Sequence, residues 1–495
     1  MPVNPYDNSR LLDVHKWSEY PQLLDAQKHL YSELFGKTKN KKRMKNLRVV
    51  ILDLYKCHLE DPKKYIAYHR GNDYYKKKSR YNKLHISITP LLVVIDALLN
   101  NEYAEGVKGF FDRRSGKSKL SRIRALPKLI TFLEHCREDN TQRPIPAHFI
   151  CRHPDEEVII LKDADKKLKE YEDTDETIRM RKELRDYNAL LEKTFIDIDL
   201  IGYPESIRID TTNKRVRRIF NNGSFEQGGR FYGGWWQNVK KDLRERIIMD
   251  ETEKPTIEID YKALHINLLY NREGIDYFGT YGQDADPYLV RDITDDSERD
   301  IWRNFYKLVL LVCINCDSRV SAKRAIWSKI RSDDEKNKYP ELKNQKQIGE
   351  AIKEFEKLHE PIAKHFFSGG GLELQRLDSI IAEKVIKHFV SEKKLPILCI
   401  HDSFICTTRD SYHLEEVIQS AMIETLNEME KHCPITPLTK TKDRRITEEI
   451  VDPDNPFSRY SIEDIFEECN ANGSCSPRIK QWREQRIQTI INYNT

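Results

Sequence analysis

The chain has 495 residues, of which 39% are apolar and 33% charged, and its formal net charge is +4. This length predicts two to four domains, and the composition is that of a polar globular protein. The sequence contains no apolar run of membrane-spanning length and no signal-peptide pattern, and its ten scattered cysteines are typical of a reducing compartment. We therefore expect a cytoplasmic enzyme or nucleic-acid factor without a membrane partner.

Residues 1–150 are expected to form a mostly helical N-terminal region with two basic clusters. Seven Lys or Arg residues lie between Lys37 and Arg48, and eight lie between Lys108 and Lys128, where Asp112 is the only acid. A helix is predicted from Thr89 and Pro90, followed by a basic, glycine-containing hairpin (GFFD, RRSGKSK, LSRIRA). Helices followed by a basic hairpin resemble a winged helix, which would bind nucleic acid. The alternative is an ordinary α+β subdomain with a solvated hairpin.

The composition changes again after residue 150. Residues 155–195 are charged with a sparse apolar stripe, which predicts a pair of long surface helices within a segment 151–205. Residues 206–445 alternate strand-like and helical patterns and are expected to form the largest unit. Residues 446–495 are expected to form a C-terminal tail with a last helix and no functional signal.

Two acids occur at strand-like segments far apart in the chain. Asp260 ends the strand pattern of PTIEID, and Asp402 interrupts the apolar run ILCIHDSFICT, which predicts a buried strand. Carboxylates brought together in a buried place repel each other, and a divalent cation relieves that repulsion. The pair therefore predicts a site for two Mg²⁺ or Mn²⁺ ions. The alternative is that Asp260 caps a helix and Asp402 lies in a turn or an ion pair.

Three further segments accompany these acids in a fixed order. GGRFYGGWWQNV carries Arg230, Gln237 and Asn238 before the first acid. ERDIWRNFYKLVLLVCIN has Arg303 and Lys307 on one helical face between the two acids, and GLELQRLDSIIAEKVI carries Gln375 and Asp378 before the second. Together, over residues 217–410, these segments resemble motifs A, B and C and their neighbours in family A DNA polymerases and in phage-type single-subunit RNA polymerases.

The resemblance implies an α+β right-hand fold with palm, fingers and thumb, the thumb being residues 151–205. It also implies a role for each matched position. The implied metal ligands and catalytic residues are Asp260 and Asp402. The implied nucleotide-binding residues are Lys307, Arg303, His265, Leu311, Asn315 and Tyr261, and the implied nucleic-acid-binding residues are Arg230, Gln237, Asn238, Gln375, Asp378 and His401.

The sequence departs from the family pattern at four of its positions. Asn315 and Leu311 stand where the family has a tyrosine and often another aromatic residue. Ser403 stands where many DNA polymerases have a second acid, and His265 stands where they have a glutamate that excludes the ribose 2′-hydroxyl. Choice of sugar and dependence on a template are therefore open.

The expected function is nucleotidyl transfer, most simply by a template-directed DNA polymerase without a proofreading exonuclease. Its partners would be a DNA primer–template and nucleoside triphosphates, with RNA as an alternative. A single-subunit RNA polymerase, a primase-like enzyme and a template-independent polymerase are alternatives within this class. A non-catalytic nucleic-acid-binding replication factor with a polymerase-like fold is the alternative of another class.

Overall fold

The computed structural model describes residues 8–71, 75, 79–112, 114, 116–135, 150–200, 209, 211, 213–249, 256–332, 338–429 and 433–442. These residues form a mixed fold in which many helices surround several small β-sheets. No helix among them is long and apolar enough to cross a membrane. The helix predicted in residues 446–495 lies outside the described residues.

The N-terminal part has its own hydrophobic core, with buried residues from Leu12 to Ile150. Its helices are α1 (Pro21–Phe35), α2 (Lys41–Glu60), α3 (Ile88–Asn100) and α4 (Pro127–His135). Its described strands are β1 (Ser9–Leu11), β2 (Lys16–Trp17), β3 (Tyr65–Tyr68), β4 (Ala104–Val107), β5 (Phe110–Phe111), β6 (Ser118–Lys119), β7 (Ser121–Ala125) and β8 (Cys151–Arg152).

One sheet organises this part, with the strand order β1-β3-β7-β4. A hairpin is present in the predicted region as the antiparallel pair β5–β6, between β4 and β7, but β6 lies within the predicted turn, and the predicted second strand LSRIRA contains β7, which pairs with β4. Chain order is α2, β3, α3, β4, hairpin and β7, and β7 pairs with both β3 and β4. That this part of the chain is a winged helix stays a prediction.

The segment 151–205 differs from its prediction. Instead of a helical pair it contains β9 (Ile159–Leu161), the single long helix α5 (Asp175–Lys193) and β10 (Ile196–Ile198). Strand β9 forms where a helix was expected because its contiguous apolar residues are buried and pair in parallel with β11 (Arg217–Phe220). The buried residues of α5, including Leu184 and Leu191, belong to the core that extends to Leu426, so the predicted boundary at 205 does not separate two cores.

A four-stranded antiparallel sheet carries both candidate catalytic acids. The strands that follow β11 are β12 (Gly228–Tyr232), β13 (Ile247–Met249), β14 (Thr256–Tyr261), β15 (Leu398–Ile400), β16 (Ser403–Thr407) and β17 (Thr439–Lys442). The sheet order is β15-β16-β14-β17. Residues 397–407 are thus a hairpin rather than the single buried strand expected, with His401 and Asp402 as its turn. His401 adopts the left-handed φ of 57°.

Helices cover this sheet and form one wall of a cleft above it. They are α6 (Lys241–Arg244), α7 (Leu264–Arg272), α8 (Tyr277–Tyr281), α9 (Asp296–Asn315), α10 (Arg319–Ile330), α11 (Gln345–Leu358), α12 (Gly371–Lys387) and α13 (Ser411–Asn427). Helix α9 begins after Asp295, whose carboxylate accepts a hydrogen bond from the Glu298 amide. Its apolar face, which includes Phe305 and Val309, is buried, and its opposite face lines the cleft.

Candidate active site

The two predicted acids meet at one end of the sheet. Antiparallel pairing of β14 with β16 sets Asp260 opposite Ser403, the residue that follows Asp402. Both carboxylates line a cleft of about 240 Å³. Burial raises the pKa of Asp402, and repulsion from Asp260 raises it further. The site therefore concentrates negative charge that a cation would stabilise.

Cations predicted on α9 face these acids across the cleft. Arg303, Lys307 and Leu311 are four residues apart on α9, and all three line the cleft, although their contact with a nucleotide stays a prediction. The pKa of Lys307 is lowered to about 8, chiefly because the ammonium is buried and also because Arg303 and Lys440 repel it. An anionic ligand would stabilise the charged form of Lys307, which burial and repulsion disfavour.

Three cleft residues were not singled out from the sequence. Asp286 forms an ion pair with Arg303, and the Tyr288 ring lies 5.4 Å from the Arg303 guanidinium carbon and 5.6 Å from Lys307 Nζ. Lys440 on β17 is paired with Asp260 in the sheet, and its Nζ lies 3.1 Å from Asp260 Oδ2. Strand alternation in TKTK indicates β-structure around Lys440 but gives no signal for its partner.

An acid near the site was also missed. Glu258 lies two residues before Asp260, on the same face of β14, and is buried. Ser403 Oγ donates to Glu258 Oε1 at 2.7 Å. Ser403 stands where many DNA polymerases have a second acid. Here it donates a hydrogen bond to Glu258, an acid on the neighbouring strand.

The residues present fit a divalent-metal site formed jointly with a substrate. Within the described part of the chain, no three His, Cys, Asp or Glu residues gather as a metal-binding group. Mg²⁺, however, is often bound by one or two carboxylates plus substrate phosphates, and Asp260 and Asp402 supply that number. The Lys440 ammonium beside Asp260 shows that a cation is favourable at this point.

Three of the other predicted residues meet at the buried carboxylate of Asp378. Arg230 Nε donates to Asp378 Oδ2 at 2.8 Å, and His265 Nε2 lies 3.2 Å from the same oxygen. Asp378 is fully buried and its carboxylate pairs with Arg230, and the nucleic-acid contact expected of it stays a prediction. His265 also lines the cleft, whereas Arg230 does not.

Two other predicted nucleic-acid contacts have internal roles in the structure. Gln237 Nε2 donates to Phe231 O at 3.0 Å and to Cys399 O at 2.9 Å. The His401 ring packs edge-on against Tyr232 at 5.2 Å. Burial lowers the pKa of His401, which favours its neutral form. Both side chains therefore support the hairpin that carries Asp402.

The remaining four predicted residues are dispersed. Tyr261 is buried and donates its hydroxyl to Ile418 O, although the residue borders the cleft. Asn315 ends α9, donates to Leu311 O at 2.7 Å and does not line the cleft. Asn238 is exposed and borders a separate groove of about 1030 Å³, and Gln375 is half-buried on α12.

Comparisons with known proteins add little to this picture. No protein-family model and no curated protein matches the chain. Among solved structures, it is similar to the POL domain of Pol1 from M. smegmatis in complex with DNA primer-template and dNTP, at 13% sequence identity and a TM-score of 0.26. The similarity covers 54% of this chain and 51% of that structure, so the match spans about half of either chain. A TM-score this low does not establish a shared fold.

Proposed function

We propose that the protein is a nucleotidyltransferase, most simply a template-directed DNA polymerase, and that Asp260 and Asp402 hold two Mg²⁺ or Mn²⁺ ions. The observation that supports this most directly is the convergence of two carboxylates from distant segments, faced by Arg303 and Lys307 across one cleft. Acids on one wall and cations on the other suit a nucleoside triphosphate bound through metal ions.

In the proposed reaction, a 3′-oxygen forms a bond to the α-phosphorus and the bond to pyrophosphate breaks. Bound metal ions would lower the pKa of the attacking hydroxyl and neutralise charge on the phosphates. Lys307 binds the triphosphate as a point charge, and Arg303 exchanges Asp286 for a phosphate oxygen. Lys440 leaves Asp260 when a stronger cation binds there.

The finer assignments follow from the same site. The sheet β15-β16-β14-β17 would be the palm, α9–α11 the fingers, and residues 151–205, which include α5, the thumb. His265, fixed by Asp378 and facing the cleft, is the proposed contact to the nucleotide sugar. Deoxynucleotides are preferred on the likeness of the Arg230 segment to DNA enzymes, and ribonucleotides are the alternative.

A non-catalytic nucleic-acid-binding factor is the second candidate, and one observation favours it. In this structure protein groups already neutralise two of the cleft's charges, because Lys440 pairs with Asp260 and Asp286 pairs with Arg303. A protein that only binds nucleic acid would keep these ion pairs and would need no metal ion.

Thermal melting with a nucleoside triphosphate separates the two candidates. For the enzyme, we expect the triphosphate to raise the melting temperature only when Mg²⁺ is present, by several degrees at about 100 times Kd. Asp402→Asn should abolish the increase, and Asp165→Asn, which removes an exposed acid, should retain it. An increase that needs no metal and survives Asp402→Asn would favour the binding factor.

A further inference from the structure

The β5–β6 hairpin (Lys108–Lys119) exposes an aromatic ring on each of its two faces. Phe110 and Phe111 are adjacent on β5, so their side chains point to opposite faces of the ribbon. They are 49% and 67% exposed. Large apolar side chains that are exposed on both faces of one hairpin indicate a contact surface rather than a folding element.

The hairpin is firmly fixed at its base. A Cβ at Gly109 would lie 2.2 Å from Lys119 O, so only glycine permits the close approach of the two strands there. The Gly109 amide also donates to Ser121 Oγ at 3.0 Å. These contacts join the base of the hairpin to β7 of the sheet β1-β3-β7-β4.

Hydrogen bonds also join the described residues at the end of the hairpin. The Asp112 amide donates to Lys117 O at 2.8 Å, and Gly116, at a φ of 68°, donates its amide to Asp112 O at 2.9 Å. Asp112 Oδ1 accepts a hydrogen bond from the Arg114 amide at 2.9 Å. The one acid of the hairpin therefore has a structural role within the turn.

Basic side chains lie on the same hairpin, and Lys119 on β6 is paired with Phe110 on β5. Exposed cationic residues of the hairpin include Lys108, Arg114, Lys117 and Lys119. None of these residues lines the cleft that holds Asp260 and Asp402. The charge is complementary to a polyanion, and the rings offer flat apolar surfaces beside it.

We propose that the β5–β6 hairpin is a second nucleic-acid site, which binds single-stranded DNA or RNA by stacking bases on Phe110 and Phe111. Single strands fit because their base faces are accessible, whereas duplex bases cover one another. Lysines and the arginine beside the rings bind the phosphates. This site lies in the N-terminal part of the chain and does not depend on the proposed nucleotidyl transfer.

Fluorescence anisotropy of a labelled 20-nucleotide oligo(dT) with the full chain tests the proposal, in EDTA so that no metal-dependent step contributes. The double variant Phe110→Ala/Phe111→Ala should bind about 10-fold or more weakly, with an unchanged dependence on salt. Lys117→Ala/Lys119→Ala should instead reduce the slope of log affinity against log salt by about one to two. Tyr412→Ala, which removes another exposed ring, is the matched control and should bind like the unchanged protein.

Equal affinity of the phenylalanine variant and the unchanged protein would overturn the proposal. A loss of affinity in the phenylalanine variant that appears only with a duplex of the same length would also overturn it. The same holds if the phenylalanine variant and the Tyr412→Ala control weaken binding equally. Asp165→Asn, which removes an exposed acid that does not line the cleft, should keep full affinity in this assay. Hairpin binding that persists while nucleotide incorporation is absent would therefore reject the polymerase alone.

Discussion

The electrostatics of single residues determine what the cleft can bind. The raised pKa of Asp402 and the lowered pKa of Lys307 both result chiefly from burial, so each group is costly to keep charged without a partner. A metal–triphosphate complex would supply both partners together. In the free site the neighbouring residues form ion pairs, Lys440 with Asp260 and Asp286 with Arg303.

Replacing Lys307 should stabilise the free protein while weakening nucleotide binding. In the folded protein Lys307 loses its proton near pH 8, whereas its ordinary pKa is 10.5. Between these values the unfolded state binds more protons, so stability rises with pH, and below pH 8 the folded state bears the full cost. We expect Lys307→Met to melt higher at pH 7 and the difference to shrink by pH 10. Lys28→Met, at an exposed position, is the control, and a lower melting temperature for Lys307→Met at pH 7 would contradict this account.

Removing Asp378 should be strongly destabilising because it leaves Arg230 buried without its partner. Asp378→Asn preserves the shape of the side chain, and we expect a loss of about 3–5 kcal/mol in the free energy of unfolding, measured by urea denaturation. The double variant Arg230→Met/Asp378→Leu should lose less, because no unpaired charge remains. A single variant as stable as the unchanged protein would show that the pair does not stabilise the site.

At the scale of elements, two kinds of contact stabilise the hairpin that carries Asp402. Its strands pair within the sheet, and side chains from other elements bond its outer edge. Strand β15 is at the edge of its sheet, and side chains bond its outer backbone groups. Tyr187 Oη donates to Ile397 O at 2.7 Å, and Trp236 Nε1 donates to Cys399 O at 3.1 Å. These contacts connect α5 and the segment after β12 to the candidate catalytic turn.

Loss of the Tyr187 hydroxyl should loosen this turn. Tyr187→Phe leaves Ile397 O without a buried partner, and we expect a loss of about 1–3 kcal/mol in the free energy of unfolding. Any nucleotide incorporation should fall as well, because Asp402 is less firmly positioned. Tyr412→Phe, at a position 73% exposed, is the control. Equal stability of the two variants would contradict the lateral support of β15.

Sequence patterns predicted those elements whose signal is local. The strand ending near Asp260, the α9 helix and the basic hairpin could be predicted because apolar periodicity and turn residues define them within a few positions. The apolar residues on both sides of Asp402 predict one continuous strand, whereas the structure has a turn at this residue. Lys440, Asp286 and the edge contacts of Tyr187 depend on pairing between distant segments, which no local pattern encodes.

At the scale of the whole molecule, the described residues form two principal hydrophobic cores, one from Leu12 to Ile150 and one from Val158 to Leu426. Polar contacts join them. Arg152 donates to Glu156 Oε1 at 2.5 Å and also pairs with Asp13, and Tyr81 Oη donates to Lys169 O at 2.9 Å. The N-terminal core carries the hairpin, and the larger core carries the cleft.

Separate cores predict separable unfolding. Leu52→Ala and Leu268→Ala remove comparable side chains from the first and the second core, and each should cost about 2–5 kcal/mol. In calorimetry we expect two transitions, with each variant lowering the melting temperature of its own core by several degrees. One transition that both variants shift equally would show that the two cores unfold as a unit.

Extension of a labelled primer by one nucleotide tests the central claim most directly. The reaction contains Mg²⁺, primer with or without template, and deoxy- or ribonucleoside triphosphates, and it compares the unchanged protein with Asp260→Asn, Asp402→Asn and the control Asp165→Asn. We predict that the unchanged protein and the control extend the primer, and that each of the other two variants is at least about 10³-fold slower. Extension that survives both substitutions, or no extension by the unchanged protein under any of these conditions, would contradict the proposed nucleotidyl transfer.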